Sequence, residues 1–168
     1  MTSKENHALL QGVLMDIFGS GVLITGPSGI GKSELALGLI RLGHKLVADD
    51  CVEFNINPDN NSLLGRCPTS LQNLLEVRGL GIINVDTLFG GHAIATNASL
   101  ALIIQLIQIN SSEFHSLNRL TSIQSQKNIL GVIIPEISIP ILATRNTALL
   151  AETAVRHFQL NSPSDDLQ

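Results

Sequence analysis

Gly26-Pro-Ser-Gly-Ile-Gly-Lys-Ser33 is the motif in this sequence that says most about its fold. It fits the pattern G-x-x-x-x-G-K-[ST] at every fixed position, and it lies between an apolar run at 21–25 and a helix-compatible run at 33–42. In that context the glycines let backbone N–H groups curl around phosphate oxygens, and the following helix adds the positive end of its dipole. The pattern therefore predicts a phosphate-binding loop (P-loop) between a strand and a helix.

The loop also predicts a nucleotide and a metal ion. The residues expected to bind the nucleotide are Gly26, Pro27, Ser28, Gly29, Ile30, Gly31, Lys32 and Ser33. Lys32 would hold the β- and γ-phosphates of the nucleotide, and the hydroxyl of Ser33 would hold Mg²⁺. A nucleotide and Mg²⁺ are thus the predicted cofactors.

Composition excludes several classes of protein. Of the 168 residues, 44% are hydrophobic and 14% are charged, which favours a folded domain over a disordered chain. The net charge of −4 and the scattered Lys and Arg residues argue against nucleic acid as a partner. The longest apolar stretch, at 100–109, is too short to span a bilayer, and the N-terminus lacks a signal-peptide pattern. We expect a cytoplasmic protein, with Cys51 and Cys67 as reduced thiols and no membrane partner.

Hydrophobic periodicity and turn residues predict the order of the secondary structure. The predicted strands lie at 13–18, 22–25, 45–48, 52–56, 82–85, 100–109, 131–134 and 137–142. Helices are predicted at 33–42, at 69–77 and from 146 to about 160, with a polar loop at 110–128. We expect one domain at 1–160 and a disordered tail at 161–168.

Two acidic residues, Asp49 and Asp50, follow the predicted strand at 45–48. Ligands of open α/β sheets bind at the carboxyl ends of the strands, so we expect this pair beside the P-loop. A carboxylate there can hold Mg²⁺ or take a proton from an incoming hydroxyl. Adjacent residues of a strand point to opposite faces, so the two either divide these roles or place only one side chain in the site.

A second charged pair, Glu76 and Arg78, precedes a Gly-x-Gly loop. Glu76 could complete the Mg²⁺ shell, and Arg78 could neutralise phosphoryl charge. From the residues alone, an idle pair of surface charges is an open alternative.

Five segments together resemble the catalytic domain of bacterial HPr kinase/phosphorylase. The most specific is LLEVRGLGIINVDTLFG at 74–90, which is similar to the signature of that family. The others are GVLITGPSGIGKSELAL, GHKLVADDCVEF, LGVIIPEISIPI and RNTALLAETAVRHFQL. The resemblance covers about 11–160 and does not extend to the separate N-terminal domain of longer family members. It implies an α/β P-loop kinase fold of the HPr kinase/phosphoenolpyruvate carboxykinase type, with a mixed sheet and flanking helices.

The resemblance implies an activity and a partner. The family phosphorylates the regulatory serine of the phosphocarrier protein HPr with ATP, and it removes that phosphate with inorganic phosphate, releasing pyrophosphate. HPr is therefore the implied partner, and a homo-oligomer, a hexamer, is the implied assembly.

Site residues follow by position. The implied catalytic residues are Asp50, Lys32, Arg78 and Arg119, and the implied Mg²⁺ ligands are Ser33 and Glu76. Asp50 matches the family's proton acceptor in phosphorylation, which is also the proton donor in the reverse reaction. The segment at 140–145 matches one that is important for dephosphorylation.

Two positions depart from the family pattern. Gln11 stands where the family usually has a catalytic His. Gln can donate a hydrogen bond, but it carries no charge and neither takes up nor releases a proton near neutral pH. Ala143-Thr-Arg145 replaces a Pro-Gly-Arg, and Thr144 cannot adopt a positive φ as cheaply as Gly. Both departures bear on the phosphorylase activity and on the catalytic rate.

Two other functions stay open from the sequence. One is a P-loop kinase for a small hydroxyl compound. The other is a nucleotide-sensing module that has lost turnover through Gln11 and Thr144. Transfer to a metabolite but not to HPr would favour the first, and ATP binding without transfer would favour the second.

Overall fold

The structure is a computed structural model that describes residues 6–110, 112 and 124–161. Arg119 and, apart from Asn161, the predicted tail lie outside these residues. The strands are β1 (His7–Gln11), β2 (Val13–Ile17), β3 (Ser20–Thr25), β4 (Lys45–Ala48), β5 (Cys51–Ile56), β6 (Leu63–Arg66), β7 (Leu74–Val77), β8 (Gly81–Asn84), β9 (Asn97–Gln108), β10 (Gln124–Ile129) and β11 (Val132–Ile141). The helices are α1 (Lys32–Arg41), α2 (Val85–Phe89) and α3 (Thr147–Asn161), with 3-10 turns at Thr69–Leu71 and Gly91–Ala93.

Nine of these strands form one mixed sheet in the order β1-β5-β6-β9-β3-β2-β4, with β11 on β9 and β10 on β11. The long strand β9 lies at its centre, antiparallel to β6 at its start and parallel to β3 and β11 further along. Strands β7 and β8 form a separate antiparallel hairpin. The predicted mixed sheet with flanking helices is confirmed, and so is the predicted central strand.

Strand direction brings three loops to one edge of the sheet. Strand β2 is antiparallel to both β3 and β4, and β3 is parallel to β9, so β3, β4 and β9 share a direction. Their carboxyl ends therefore meet at the same edge. The P-loop follows β3 there, the Asp49–Asp50 pair follows β4, and Gln11 and Gly12 precede β2.

The helix that follows the P-loop is fixed by packing. Leu35 and Leu39 of α1 are buried with Val155 of α3 in an apolar cluster between the sheet and the two helices. The helices approach so closely that a Cβ on Gly38 would lie 2.6 Å from the Cβ of Ala148. Burial of each large aliphatic side chain stabilises the fold by about 1.5–3 kcal/mol, so α1 holds the P-loop firmly. No helix in the described part of the chain combines the length and apolarity that a bilayer crossing requires.

The predicted helix at 69–77 is wrong. Only Thr69–Leu71 forms a 3-10 turn, and β7 then pairs with β8. Asn73 has a φ of +68°, which ends any helical path before the strand. Buried Leu75 and Val77 alternate with exposed Glu76, which is the period of a strand.

The predictions for the C-terminal third need two corrections. The end of the predicted polar loop is strand β10, while 111 and 113–123 lie outside the described residues. The two strands predicted at 131–134 and 137–142 are one strand, β11. The two prolines do not interrupt β11 because each lies where β11 has a partner strand on one side only. Pro135 lies where β11 pairs with β10 alone, and Pro140 lies where β11 pairs with β9 alone. The final helix is as predicted, and Asn146 Oδ1 accepts a hydrogen bond from the N–H of Leu149 at 3.1 Å.

Candidate active site

A cleft of about 420 Å³ lies at the sheet edge where the carboxyl ends of the strands meet. Four parts of the chain form its walls: the junction of β1 and β2, the P-loop, the Asp49–Asp50 turn and the hairpin of β7 and β8. The lining residues are Gln11, Gly12, Val13, Gly26, Ser28, Gly29, Gly31, Lys32, Ser33, Glu34, Asp49, Asp50, Glu76 and Arg78. Most of these side chains are polar or charged, so the cleft suits a charged ligand.

The backbone of the P-loop requires glycine at its two ends. Gly26 has a φ of +149°, and a Cβ there would lie 3.0 Å from the carbonyl oxygen of Leu106. Gly31 is the N-cap of α1 with a φ of +113° and leaves the first N–H groups of the helix without a side-chain cap. Open N–H groups at a helix N-terminus are the donors that bind phosphate oxygens.

Lys32 folds back over the loop that precedes it. Its Nζ donates hydrogen bonds to the carbonyl oxygens of Gly26, at 2.7 Å, and Pro27, at 3.1 Å. The ammonium charge is therefore held at the mouth of the loop. Since an ammonium group has three N–H donors, one remains for an incoming oxygen without loss of either bond.

Asp50 is the central residue of a tight turn. Its φ is +68°, and the N–H of Cys51 donates to the carbonyl of Asp49 at 2.8 Å, which closes a γ-turn. The carbonyl of Asp50 in turn accepts from the N–H of Gly12 at 3.3 Å. A positive φ in a non-glycine residue is strained, and such strain is found at functional sites.

The turn changes the prediction for the acidic pair. Alternation along a strand would send the two side chains to opposite faces, but β4 ends at Ala48 and the turn reverses the chain. Asp49 and Asp50 consequently both line the cleft.

Asp49 has a second role that the sequence did not reveal. Its Oδ2 accepts a hydrogen bond from the backbone N–H of Glu76 at 2.9 Å, which joins the sheet edge to the β7 strand. Burial raises the pKa of Asp49; the hydrogen bond from Glu76 opposes this, and the negative charges of Asp50 and Glu76 add to it. The acidic doublet itself was the only sequence signal, since the bond goes to a backbone group.

Arg78 lies against the P-loop. A Cβ built on Gly29 would be 3.1 Å from Nη1 and 3.3 Å from Nη2 of Arg78. Glu76 and Arg78 are both exposed, and both line the cleft beside the loop. The hairpin thus brings both charges beside the loop that is predicted to bind phosphate, and their roles there stay a prediction.

Most of the predicted site residues meet in the cleft. Ile30 instead packs against the apolar cluster beneath the loop, and Pro27 contributes its carbonyl to Lys32. In the described part of the chain no group of three or more His, Cys, Asp or Glu residues is arranged to hold a metal ion. Ser33 and Glu76 nevertheless both line the cleft, and their oxygen atoms are ligands of the type that Mg²⁺ takes together with phosphate oxygens and water.

The two departures from the family pattern have different surroundings. Gln11 lines the cleft and pairs with Cys51 across β1 and β5, so it lies next to Asp50. Thr144 follows β11, and its φ is outside the positive region, so replacement of Gly causes no backbone strain in this conformation. His44 is remote from the site: it is buried, with Nε2 2.7 Å from a carboxylate oxygen of Glu152.

Fold and cleft together define a P-loop domain whose loop faces a carboxylate turn and a charged hairpin. The chain matches the HPr Serine kinase C-terminal domain over residues 3–166. It belongs to that family.

Individual relatives agree with this assignment. HPr kinase/phosphorylase of Chromobacterium violaceum is 48% identical over 153 residues, which are 90% of this chain and 48% of that protein. The protein of the same name from Burkholderia cenocepacia is 49% identical over 153 residues, 90% of this chain and 46% of its own length. The Hpr(Ser) kinase/phosphatase from Coxiella burnetii superposes with a TM-score of 0.82 and 38% identity, covering 91% of each chain. The chain thus spans about half the length of the curated relatives that it matches.

Proposed function

We propose that this chain is the catalytic domain of an ATP-dependent kinase that phosphorylates a serine of HPr. We also propose the reverse phosphorolysis, in which inorganic phosphate removes the phosphoryl group as pyrophosphate. The observation that carries the proposal is that the Asp50 turn lies in the same cleft as Lys32 of the P-loop. Membership of the HPr Serine kinase family supports the choice of acceptor.

The residues of the cleft supply the parts that phosphoryl transfer needs. Asp50 would take the proton from the serine hydroxyl as the serine oxygen attacks the γ-phosphorus of ATP and ADP leaves. In phosphorolysis an oxygen of inorganic phosphate would attack the phosphoserine phosphorus to form pyrophosphate, and Asp50 would give a proton to the departing serine oxygen. Lys32 and the N–H groups of the P-loop would stabilise charge on the phosphoryl oxygens. Arg78, held against Gly29, would face the same oxygens.

Mg²⁺ belongs to the proposal as well. The hydroxyl of Ser33 and the carboxylate of Glu76 would hold the ion, which would neutralise charge on the phosphate groups of the bound nucleotide. Arg119, outside the described residues, remains a proposed catalytic residue on the resemblance alone. Gln11, next to Asp50, replaces the family His and would serve as a hydrogen-bond donor only.

Two further properties complete the proposal. A homo-oligomer, a hexamer by resemblance, is the proposed assembly. A cytoplasmic location is proposed because Cys51 and Cys67 are free thiols, which persist in reducing compartments.

An assay with purified HPr tests the function. Incubation with ATP and Mg²⁺ is expected to produce phosphoserine on HPr, detected by mass spectrometry, and added inorganic phosphate is expected to reverse it with release of pyrophosphate. ATP binding without transfer would support the nucleotide-sensing alternative instead. Transfer to a small hydroxyl compound but not to HPr would overturn the assignment of the acceptor.

A further inference from the structure

The hairpin of β7 and β8 has two faces of opposite character. Leu75 and Val77 on one face are buried in the apolar cluster beneath the sheet. On the other face Glu76 lies directly opposite Ile82, as the register of the two strands shows. Ile82 therefore shares the face whose charged residue lines the cleft.

This outer face carries apolar side chains that are open to solvent. Ile82 is 69% exposed, and Leu80, in the turn between the strands, is 72% exposed. The space around this turn is open, because a Cβ on either flanking glycine, Gly79 or Gly81, would meet no described atom within 4 Å. Two large apolar side chains exposed together beside a catalytic cleft indicate a contact surface, whereas isolated ones need no explanation.

The nucleotide does not account for these side chains. Among the described residues, those that line the cleft include Glu76 and Arg78 of the hairpin region but neither Leu80 nor Ile82. The phosphates are expected at the P-loop, on the inner side of Arg78. Leu80 and Ile82 therefore lie outside the cleft, but Ile82 stands directly opposite Glu76, which lines it.

From this arrangement we infer that Leu80 and Ile82 form an acceptor subsite, which binds an apolar segment of the protein substrate next to the serine to be phosphorylated. The inference rests on the proposed function. Glu76, opposite Ile82 in the hairpin, lines the cleft, so this surface borders the wall beside which a protein acceptor would reach Asp50. Because the surface adjoins the cleft, we favour the protein substrate over a second copy of this chain as the occupant.

The test compares the double variant Leu80→Ser/Ile82→Thr with the wild-type chain. The kinetic constants for HPr and for ATP are measured separately, and sedimentation reports the assembly. The matched control is Ile133→Thr, which changes a strand residue that is 53% exposed on another hairpin. Since both substitutions are at exposed sites, the fold should be preserved, which circular dichroism checks.

The double variant is expected to raise the KM for HPr by about tenfold or more, the effect of losing apolar anchors at an interface. The KM for ATP and the behaviour of the control should stay within about twofold of wild type. An unchanged KM for HPr would overturn the subsite, and so would dissociation of the assembly with no change in KM for HPr. A wild-type chain that fails to phosphorylate HPr would instead overturn the proposed function.

Discussion

Asp49 accepts, through Oδ2, a hydrogen bond from the backbone N–H of Glu76 at 2.9 Å, although 27 residues separate the two in sequence. The bond ties the turn that carries Asp50 to the hairpin that carries Glu76 and Arg78. Two walls of the cleft are thereby held at a fixed distance. Asp49 is thus a positioning residue in this account, and its role can be separated from that of its neighbour.

Replacement of Asp49 should affect transfer through geometry. Asp49→Ala removes the acceptor for the Glu76 N–H and is expected to lower kcat for HPr phosphorylation by about fivefold, since one hydrogen bond is worth roughly 1 kcal/mol. Asp49→Asn retains a carbonyl oxygen at the same position and should keep most of the activity. Equal losses in the two variants, measured by steady-state kinetics, would show that the negative charge rather than the hydrogen bond matters.

The raised pKa of Asp49 predicts how the stability of the fold depends on pH. Because the pKa of Asp49 is raised from 3.8 by burial, the folded state holds its proton more tightly than the unfolded state. The stability that this proton confers is complete below the ordinary pKa and is lost as the pH rises through the raised value. Asp49→Asn should therefore raise Tm at pH 7 and leave it nearly unchanged at about pH 3.5. A lower Tm for this variant at pH 7, by calorimetry, would contradict the direction of the shift.

Lys32 offers a test of the phosphate site. Lys32→Met removes the ammonium group but keeps an unbranched side chain, and we expect at least a hundredfold loss of transfer because charge on the phosphoryl oxygens is no longer stabilised. The apparent affinity for ATP should fall as well. Lys45→Met, at an exposed position of β4, is the matched control and should behave as wild type. A retained rate in Lys32→Met would exclude the Lys32 ammonium group from the chemistry.

The two cysteines should react at different rates. Burial raises the pKa of the Cys67 thiol to about 11, with smaller contributions from the negative charges of Cys51, Asp49 and Glu53. At pH 8 about one Cys67 thiol in a thousand is then ionised, and the side chain is only 6% exposed. A thiol reagent at that pH is expected to modify only the partly exposed Cys51 in the folded chain. Cys67 should react only after the chain is unfolded, when a second equivalent of reagent is consumed. Cys51→Ser should abolish the native-state reaction, and rapid labelling of this variant would refute the assignment.

Local signals in the sequence predict much of the site. The P-loop pattern, the helical spacing of α1 and the acidic doublet after β4 each depend on neighbouring residues, and each lies where it was predicted. The 69–77 segment was assigned wrongly because Leu71, Leu74 and Leu75 also fit helical spacing. The alternation of Leu75, Glu76 and Val77 is too short to outweigh that spacing, and the strand is fixed by pairing with β8 and by the cluster beneath it.

Relationships between distant parts of the chain could not be predicted. The bond from Glu76 to Asp49 involves a backbone N–H, which is present at every residue but proline. The γ-turn that brings both Asp49 and Asp50 into the cleft accepts a hydrogen bond from the N–H of Gly12, which lies beyond β1. The exposure of Ile82 likewise follows from the register of the hairpin rather than from its own neighbours.

The rate of phosphoryl transfer to HPr by the Asp50→Asn variant tests whether Asp50 is the base. Asn tolerates the positive φ of this turn and preserves the shape of the side chain but cannot accept the proton, so we expect a loss of about 10²–10⁴-fold in kcat. Nucleotide binding, measured by calorimetry, should change by less than about threefold, and Asp59→Asn, at an exposed turn position, should retain full activity. Transfer at the wild-type rate by Asp50→Asn would contradict the assignment of Asp50 as the base.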